Sequence, residues 1–168
     1  MLLLSQSSRM PMSAITIRPA TPADAELLVQ WQLAMALETE DLRLDPDTVR
    51  RGVAGVFEQP ARGCYWVAER DGRRVGGLLV TYEWSDWRAG DFHWIQSVYV
   101  EPAARGCGVF RALYAAVEAG ARTAGAVGLR LYVEHENARA QAAYHSLGMR
   151  ENDYRFYEAR FGPTPRAS

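Results

Sequence analysis

The segment that most restricts how this chain can fold runs from Ser97 to Arg111, SVYVEPAARGCGVFR. A run of apolar and β-branched residues ends at Glu101-Pro102, a loop of small residues follows, and Arg105-Gly106-Cys107-Gly108 opens an alanine-rich helical pattern. The order is strand, glycine loop, helix N-terminus. At such a junction several backbone N–H groups lack intrahelical acceptors and point the same way, backed by the partial positive charge of the helix end. Glycine lets the main chain approach an anion closely, and Arg105 can add a full charge with a planar donor fork. Two readings stay open for this stretch alone: a phosphate or pyrophosphate site, and an ordinary tight turn into a helix.

The 168 residues suit one domain with a core of its own. Hydrophobic residues make up 48% and charged residues 23%, the profile of a globular protein. With 19 basic and 20 acidic residues the net charge is -1, so there is no basic field for nucleic acid or an anionic membrane and a small-molecule partner is expected. All 19 of these basic residues are arginine, which excludes lysine chemistry and fits a GC-rich bacterial genome. Cys64 and Cys107 lie far apart with no histidine cluster, which argues against a metal site or a disulfide framework. The opening Met1 to Ser8 has a three-leucine run and no preceding basic region, too short for a signal peptide or a membrane span. Residues 1–13 read as a disordered or mis-assigned leader, with Met10 or Met12 as alternative starts. Residues 14–161 read as a single domain, 162–168 as a flexible tail, and the cytoplasm as the location.

Along the chain, Ala14 to Arg18 alternates as a first strand and stops at Pro19. Thr21 and Pro22 then open a helix with Leu27, Leu28, Trp31, Met35 and Leu37 on its apolar stripe, fraying near Glu38 to Asp41. A second helix starts at Asp45-Pro46 and ends before Pro60. Cys64–Glu69 and Val75–Trp84 form a hairpin across Asp71-Gly72, and Asp91–Val100 is the next strand, after a polar loop Ser85–Gly90. A helix from about Gly108 to Thr123, a strand Val127–Glu134, a helix Asn137–Leu147 capped by Gly148, and one or two short strands in Met149–Arg160 complete the order. This describes an α/β layered domain with a mixed, mostly antiparallel sheet of six to seven strands and about four helices.

The arginine-glycine junction follows VYVEP, and a helix and a strand later comes LYVEHENARAQAAYHSLGM. The combination resembles the GNAT superfamily of acyl-CoA-dependent N-acyltransferases. That family's phosphate loop reads Gln or Arg, two residues, Gly, one residue, then Gly or Ala; here Arg105, Gly108 and Phe110 occupy those positions, and Phe110 departs from the small last residue. The later motif matches at Asn137, Ala140, Tyr144 and Gly148, followed by Met149. The dinucleotide fingerprint fits worse, because Arg111 stands at its third glycine and no open parallel βαβ unit surrounds it. The resemblance implies acetyl-CoA as donor, with the backbone of Val98, Tyr99 and Val100 pairing with its pantetheine arm. It implies that N–H groups from Arg105, Gly106, Cys107, Gly108, Val109 and Phe110 hold the pyrophosphate. It also implies that strands splay between Val98–Val100 and Leu131–Val133, leaving a slot for the thioester.

Tyr144 lies two helical turns after Asn137, so both can face that slot. A tyrosine hydroxyl with a reference pKa of about 10 can hand a proton to a departing thiolate. Its alternative is a core tyrosine, and Asn137 can serve as a helix cap, a cofactor contact, or both. The acceptor must arrive as a free amine, and deprotonating a primary ammonium at pH 7 costs about 4 to 5 kcal/mol. Many members of the family resembled place a glutamate before the phosphate loop where this chain has Gln96, and an amide is no general base. Glu83, at the end of an apolar strand beside two indoles, is the first choice for the base; Asp86, His93, Glu38 and Glu40 are alternatives. Glu38, Glu83, Trp84, Asp86, Trp87 and Gln96 are the candidate acceptor contacts, and Trp84, Trp87, Trp94 and Tyr99 suggest an aromatic-walled pocket for a cationic amine. The expected activity is N-acetyl transfer to a small-molecule amine without a metal. The alternatives are a protein or peptide acceptor and a non-catalytic acyl-CoA sensor; a homodimer is left open.

Overall fold

The computed structural model describes residues 14–159 and 161; the leader 1–13 and tail 162–168 lie outside the described residues. Strand β1 (Ile15–Pro19) leads through a 3-10 turn (Pro22–Asp24) into α1 (Ala25–Glu40), and α2 (Pro46–Glu58) follows. Then come β2 (Gly63–Arg70), β3 (Arg73–Ser85), β4 (Gly90–Val100), α3 (Val109–Thr123), β5 (Gly128–Leu131) and α4 (Ala138–Ser146). The sheet order is β1-β2-β3-β4-β5, antiparallel except for the parallel β4–β5 pair.

Local chemistry explains most of these boundaries. Asp45 caps α2 by accepting from the backbone N–H of Thr48 at 3.0 Å, with Pro46 preset in the first turn. Asp71 and Gly72 both adopt positive φ, the backbone that a tight two-residue hairpin needs. One face of the sheet packs Leu78, Val80 and Ile95 against Val109, Leu113 and Val117 of α3. The other packs Tyr65, Val67 and Tyr99 against Leu28, Val29 and Trp31 of α1. Gly76 and Gly77 in β3 let these helices come close: a Cβ on Gly76 would lie 3.2 Å from the Val109 side chain of α3, and one on Gly77 would meet the Trp31 ring of α1 at 3.0 Å.

One expectation about the sheet and one about the helix starts need correction. The sheet has five strands among the described residues rather than six to seven, because residues 149–159 form no strand, and β5 ends at Leu131 instead of Glu134. Arg150 to Asp153 is a polar run with nothing to bury, and Tyr154 and Tyr157 beyond it stay in solvent. The Asn137 and Gly108 junctions become caps, so α4 and α3 start one residue later than the sequence pattern suggests.

The start of α1 is fixed by a fully buried carboxylate. Asp24 is 0% exposed and accepts from Arg18 Nη1 at 2.8 Å and from the Thr21 N–H at 2.8 Å, while Arg74 Nε lies 2.6 Å from its other oxygen. Hydrogen bonds from Arg18 hold its carboxyl well below the usual range despite burial. A carboxyl lowered in the folded state contributes stability that is present above its unfolded value, about pH 4, and lost as pH falls towards the folded value. Asp24→Asn is therefore expected to destabilise the fold by about 2 to 4 kcal/mol at pH 7 in denaturant titrations. The gap from the parent protein should narrow as the pH drops below about 4.

Candidate active site

The site is built where β4 loses a neighbour. β4 pairs with β5 only from Phe92–Gly128 to Ile95–Leu131, yet it continues beside β3 as far as Val100. Between those limits the register slips: Gly77 faces Tyr99 and Leu79 faces Gln96, so β4 carries one extra residue, and Ser97 takes φ 49°. A bulge of this kind flips the alternation of the strand. Ile95, Val98 and Val100 consequently all pack on the α3 side, and Tyr99 turns to α1. The edge of β4 from Gln96 to Val100 has no β5 partner, which is the expected splay.

Beyond Val100 a 3-10 turn (Pro102–Ala104) leads to Gly106 and Gly108, with φ 76° and 82°, and Gly108 caps α3. A Cβ would have free space at both, so it is the left-handed backbone that calls for glycine there. The N–H groups of Gly106, Gly108, Val109, Phe110 and Arg111 have no acceptor among the described residues, whereas the Cys107 N–H bonds the Ala104 carbonyl at 3.4 Å. Five orphan donors at the positive end of a 15-residue helix suit an anion, and the pyrophosphate of a coenzyme A ester fits that chemistry. The Phe110 ring turns onto Tyr114 and Tyr144 at 6.3 and 5.5 Å between centroids, so it packs on the helices.

Asn137 caps α4 through its side-chain oxygen, which accepts from the Ala140 N–H at 3.0 Å. Tyr144, on the same short helix, is half-buried edge-on to Phe110, and its hydroxyl bonds no described residue. Burial pushes that hydroxyl above its ordinary value, keeping it protonated.

The acceptor candidates divide by sheet face. Thr81, Glu83, Trp94, Gln96 and Tyr99 share the α1 side, with the Gln96 amide donating to the Thr81 hydroxyl. Glu83 is not the desolvated lone carboxylate expected from its two indole neighbours. Arg130 of β5 donates to one of its oxygens at 2.8 Å and the Trp94 indole donates to the other, while the Arg130 guanidinium lies 3.5 Å from the Phe92 ring centroid. Arg130 was not singled out by the sequence, although Leu129 and Leu131 facing α3 leave it on the opposite face. Glu38 receives Arg105 at 2.6 Å and the Tyr99 hydroxyl at 3.4 Å.

Trp84, Asp86 and Trp87 do not join this group. Trp84 lines a pocket with Tyr82, Asp91 and His93 beside residues 124–126 at the end of α3, and Trp87 is 85% exposed. Asp86 accepts the Trp87 N–H at 2.8 Å within the tip of the β3–β4 hairpin. That tip lies seven strand positions from the bulge, about 20 Å. The aromatic cluster expected of Trp84, Trp87, Trp94 and Tyr99 is therefore split, and Trp94 instead packs on Tyr132 with ring centroids 4.4 Å apart.

Residues 27–149 match the Acetyltransferase (GNAT) family. The chain is 32% identical over 145 residues to an aminoglycoside N(6′)-acetyltransferase type 1 of Stenotrophomonas maltophilia, covering 84% of this chain and 90% of that protein. It is 39% identical to a possible acetyltransferase from Clostridium difficile 630, with a TM-score of 0.82 over 89% of this chain and 99% of the other. The aminoglycoside N-acetyltransferase AAC(6′)-Iy, solved with CoA, shares the fold at 18% identity and a TM-score of 0.71, over 94% of this chain and 99% of that one. The match spans the splayed strand, the glycine loop and the helix that carries Tyr144, and by it the chain belongs to the GNAT family, as an N-acetyltransferase that uses acetyl-CoA.

Proposed function

We propose that the protein acetylates the primary amine of a small cationic molecule by direct transfer. The observation that carries this reading is the meeting of two features: the unpaired β4 edge at Val98, Tyr99 and Val100, and the five orphan N–H groups at the start of α3. Bound acetyl-CoA supplies the acyl group as an activated thioester. The free N–H groups of Gly106, Gly108, Val109, Phe110 and Arg111 would hold the pyrophosphate, the β4 edge would pair with the pantetheine arm and polarise the acyl carbonyl, and Asn137 would border the same slot. The acceptor nitrogen forms the new C–N bond as the C–S bond breaks, and the Tyr144 hydroxyl protonates the leaving sulfur.

Gln96 cannot take a proton from the acceptor ammonium. Glu83 lies two positions beyond Thr81 on the same face of β3, so a water chain can carry the proton to it. Its bond to Arg130 fixes it in place as part of the acceptor wall. A small-molecule acceptor is supported by the aminoglycoside acetyltransferase at 32% identity, and Glu40 and Asp41 beside Glu38 supply acidic character at the end of α1. No helix among the described residues is long and apolar enough to cross a membrane.

The test is thiol release from acetyl-CoA over a panel of amines that includes aminoglycosides with a free 6′-amine, polyamines and peptide N-termini. Turnover is expected with the small polycations, and turnover confined to peptides would overturn the small-molecule reading. Tyr144→Phe should lower kcat about a hundredfold or more while leaving the calorimetric affinity for CoA intact. An unchanged kcat would remove Tyr144 from the chemistry. Gly108→Val, which forces a β-branched residue into a left-handed backbone, should weaken CoA binding more than tenfold, as read by the same titration.

A further inference from the structure

α1 ends in Glu38-Thr39-Glu40 with no basic residue in its last turn, so carboxylates crowd the negative end of the helix dipole. The cation that offsets them comes from the glycine loop. Arg105 places Nη2 2.6 Å from Glu38 Oε2, its Nε donates to the Val100 carbonyl at 2.9 Å, and its guanidinium sits 5.6 Å from the Tyr99 ring centroid. Nε and Nη2 form one of the two edges of the planar fork that can take a bidentate anion, and both of these nitrogens are already engaged by the protein. Glu38 in turn accepts the Tyr99 hydroxyl at 3.4 Å, Tyr99 stacks on Trp31 at 6.0 Å, and the Trp31 indole donates to Glu101 at 2.6 Å. The segment from Tyr99 to Arg105 is thus tied to α1 at three side chains, immediately before the left-handed glycines.

We infer that Arg105 is a positioning residue: held by Glu38 and the Val100 carbonyl, it fixes the loop so that the orphan N–H groups face one anion, and it does not itself pair with the pyrophosphate. The inference rests on the proposed role of that loop in holding the cofactor. It departs from the expectation that Arg105 supplies the charge. The N–H array needs no side chain, but it needs the entry to the loop to be still. Glu38 becomes part of the donor site, and acceptor recognition passes to the wall around Glu83 and Trp94.

The two roles predict opposite signs for one substitution. In the positioning role, Glu38→Gln and Arg105→Gln break the same tie, so calorimetric titration with CoA should show each weakening affinity about three- to tenfold. The double variant should lose no more than the weaker single one, since both act through one contact. Exchanging the charges, Glu38→Arg with Arg105→Glu, should bind CoA more tightly than Arg105→Glu alone. If Arg105 instead pairs with the pyrophosphate, Glu38→Gln releases it and affinity is unchanged or rises, while the exchanged pair is no better than Arg105→Glu. Either result overturns the inference and leaves the cofactor loop standing. A parent protein that fails to bind CoA overturns the cofactor loop itself and this inference with it.

Discussion

Everything in the candidate active site depends on β4 being bonded on both edges for half its length and on one edge for the rest. Parallel pairing with β5 stops at Ile95–Leu131, while antiparallel pairing with β3 runs on to Val100. Main-chain groups left in this way demand partners, and in a sheet interior they are open to an extended ligand rather than to solvent alone. The bulge at Ser97 belongs to the same constraint. By adding one residue it exchanges the faces of the strand, so that Val98 and Val100 stay on the α3 side and Tyr99 reaches α1. Unbulged alternation would set Tyr99 beside Ile95, under α3, and Glu38 would lose its hydroxyl partner.

The helices that flank this opening are set by close approach and by charge. Gly76 and Gly77 remove the two side chains that would hold α3 and α1 off the sheet at the level of the bulge. α1 is then pinned at both ends by ion pairs. Asp24 binds Arg18 and Arg74 at its start, and Glu38 binds Arg105 at its finish. The first pair involves a fully buried carboxylate and carries stability; the second is partly exposed and carries geometry. A helix fixed in this way makes a rigid wall against which a cofactor loop and an acceptor can both be oriented.

On the acceptor side the chemistry is more balanced in charge than the run of acidic residues near Glu38 implies. Glu83 is neutralised by Arg130, Glu38 by Arg105, and the Gln96 amide is engaged by Thr81. Rings of Trp94 and Tyr132 supply the apolar surface. Paired charges and aromatic faces on this side of the sheet present directed hydrogen-bonding groups rather than a net charge.

Read alone, the sequence determined most of the elements, short of the C-terminal strand that does not form, and pointed to the donor chemistry, because these are encoded locally. Pro46 presets the first turn of a helix that Asp45 caps, while Asp71-Gly72 and Gly106 with Gly108 permit left-handed backbone at low cost, and these preferences are local. The spacing of Asn137 and Tyr144 likewise survives folding because a helix preserves it. The tertiary structure alone decided which side chains meet. Arg105 finds Glu38 across 67 positions and Glu83 finds Arg130 across 47, and neither pairing leaves a mark in local pattern. It also separated Trp84 and Trp87 from Trp94, since strand alternation and a long hairpin carry neighbours in sequence to opposite faces and to a distant tip. The slot itself was decided by where one short ladder ends, which depends on β5 leaving β4 after Leu131 and on a single extra residue at Ser97.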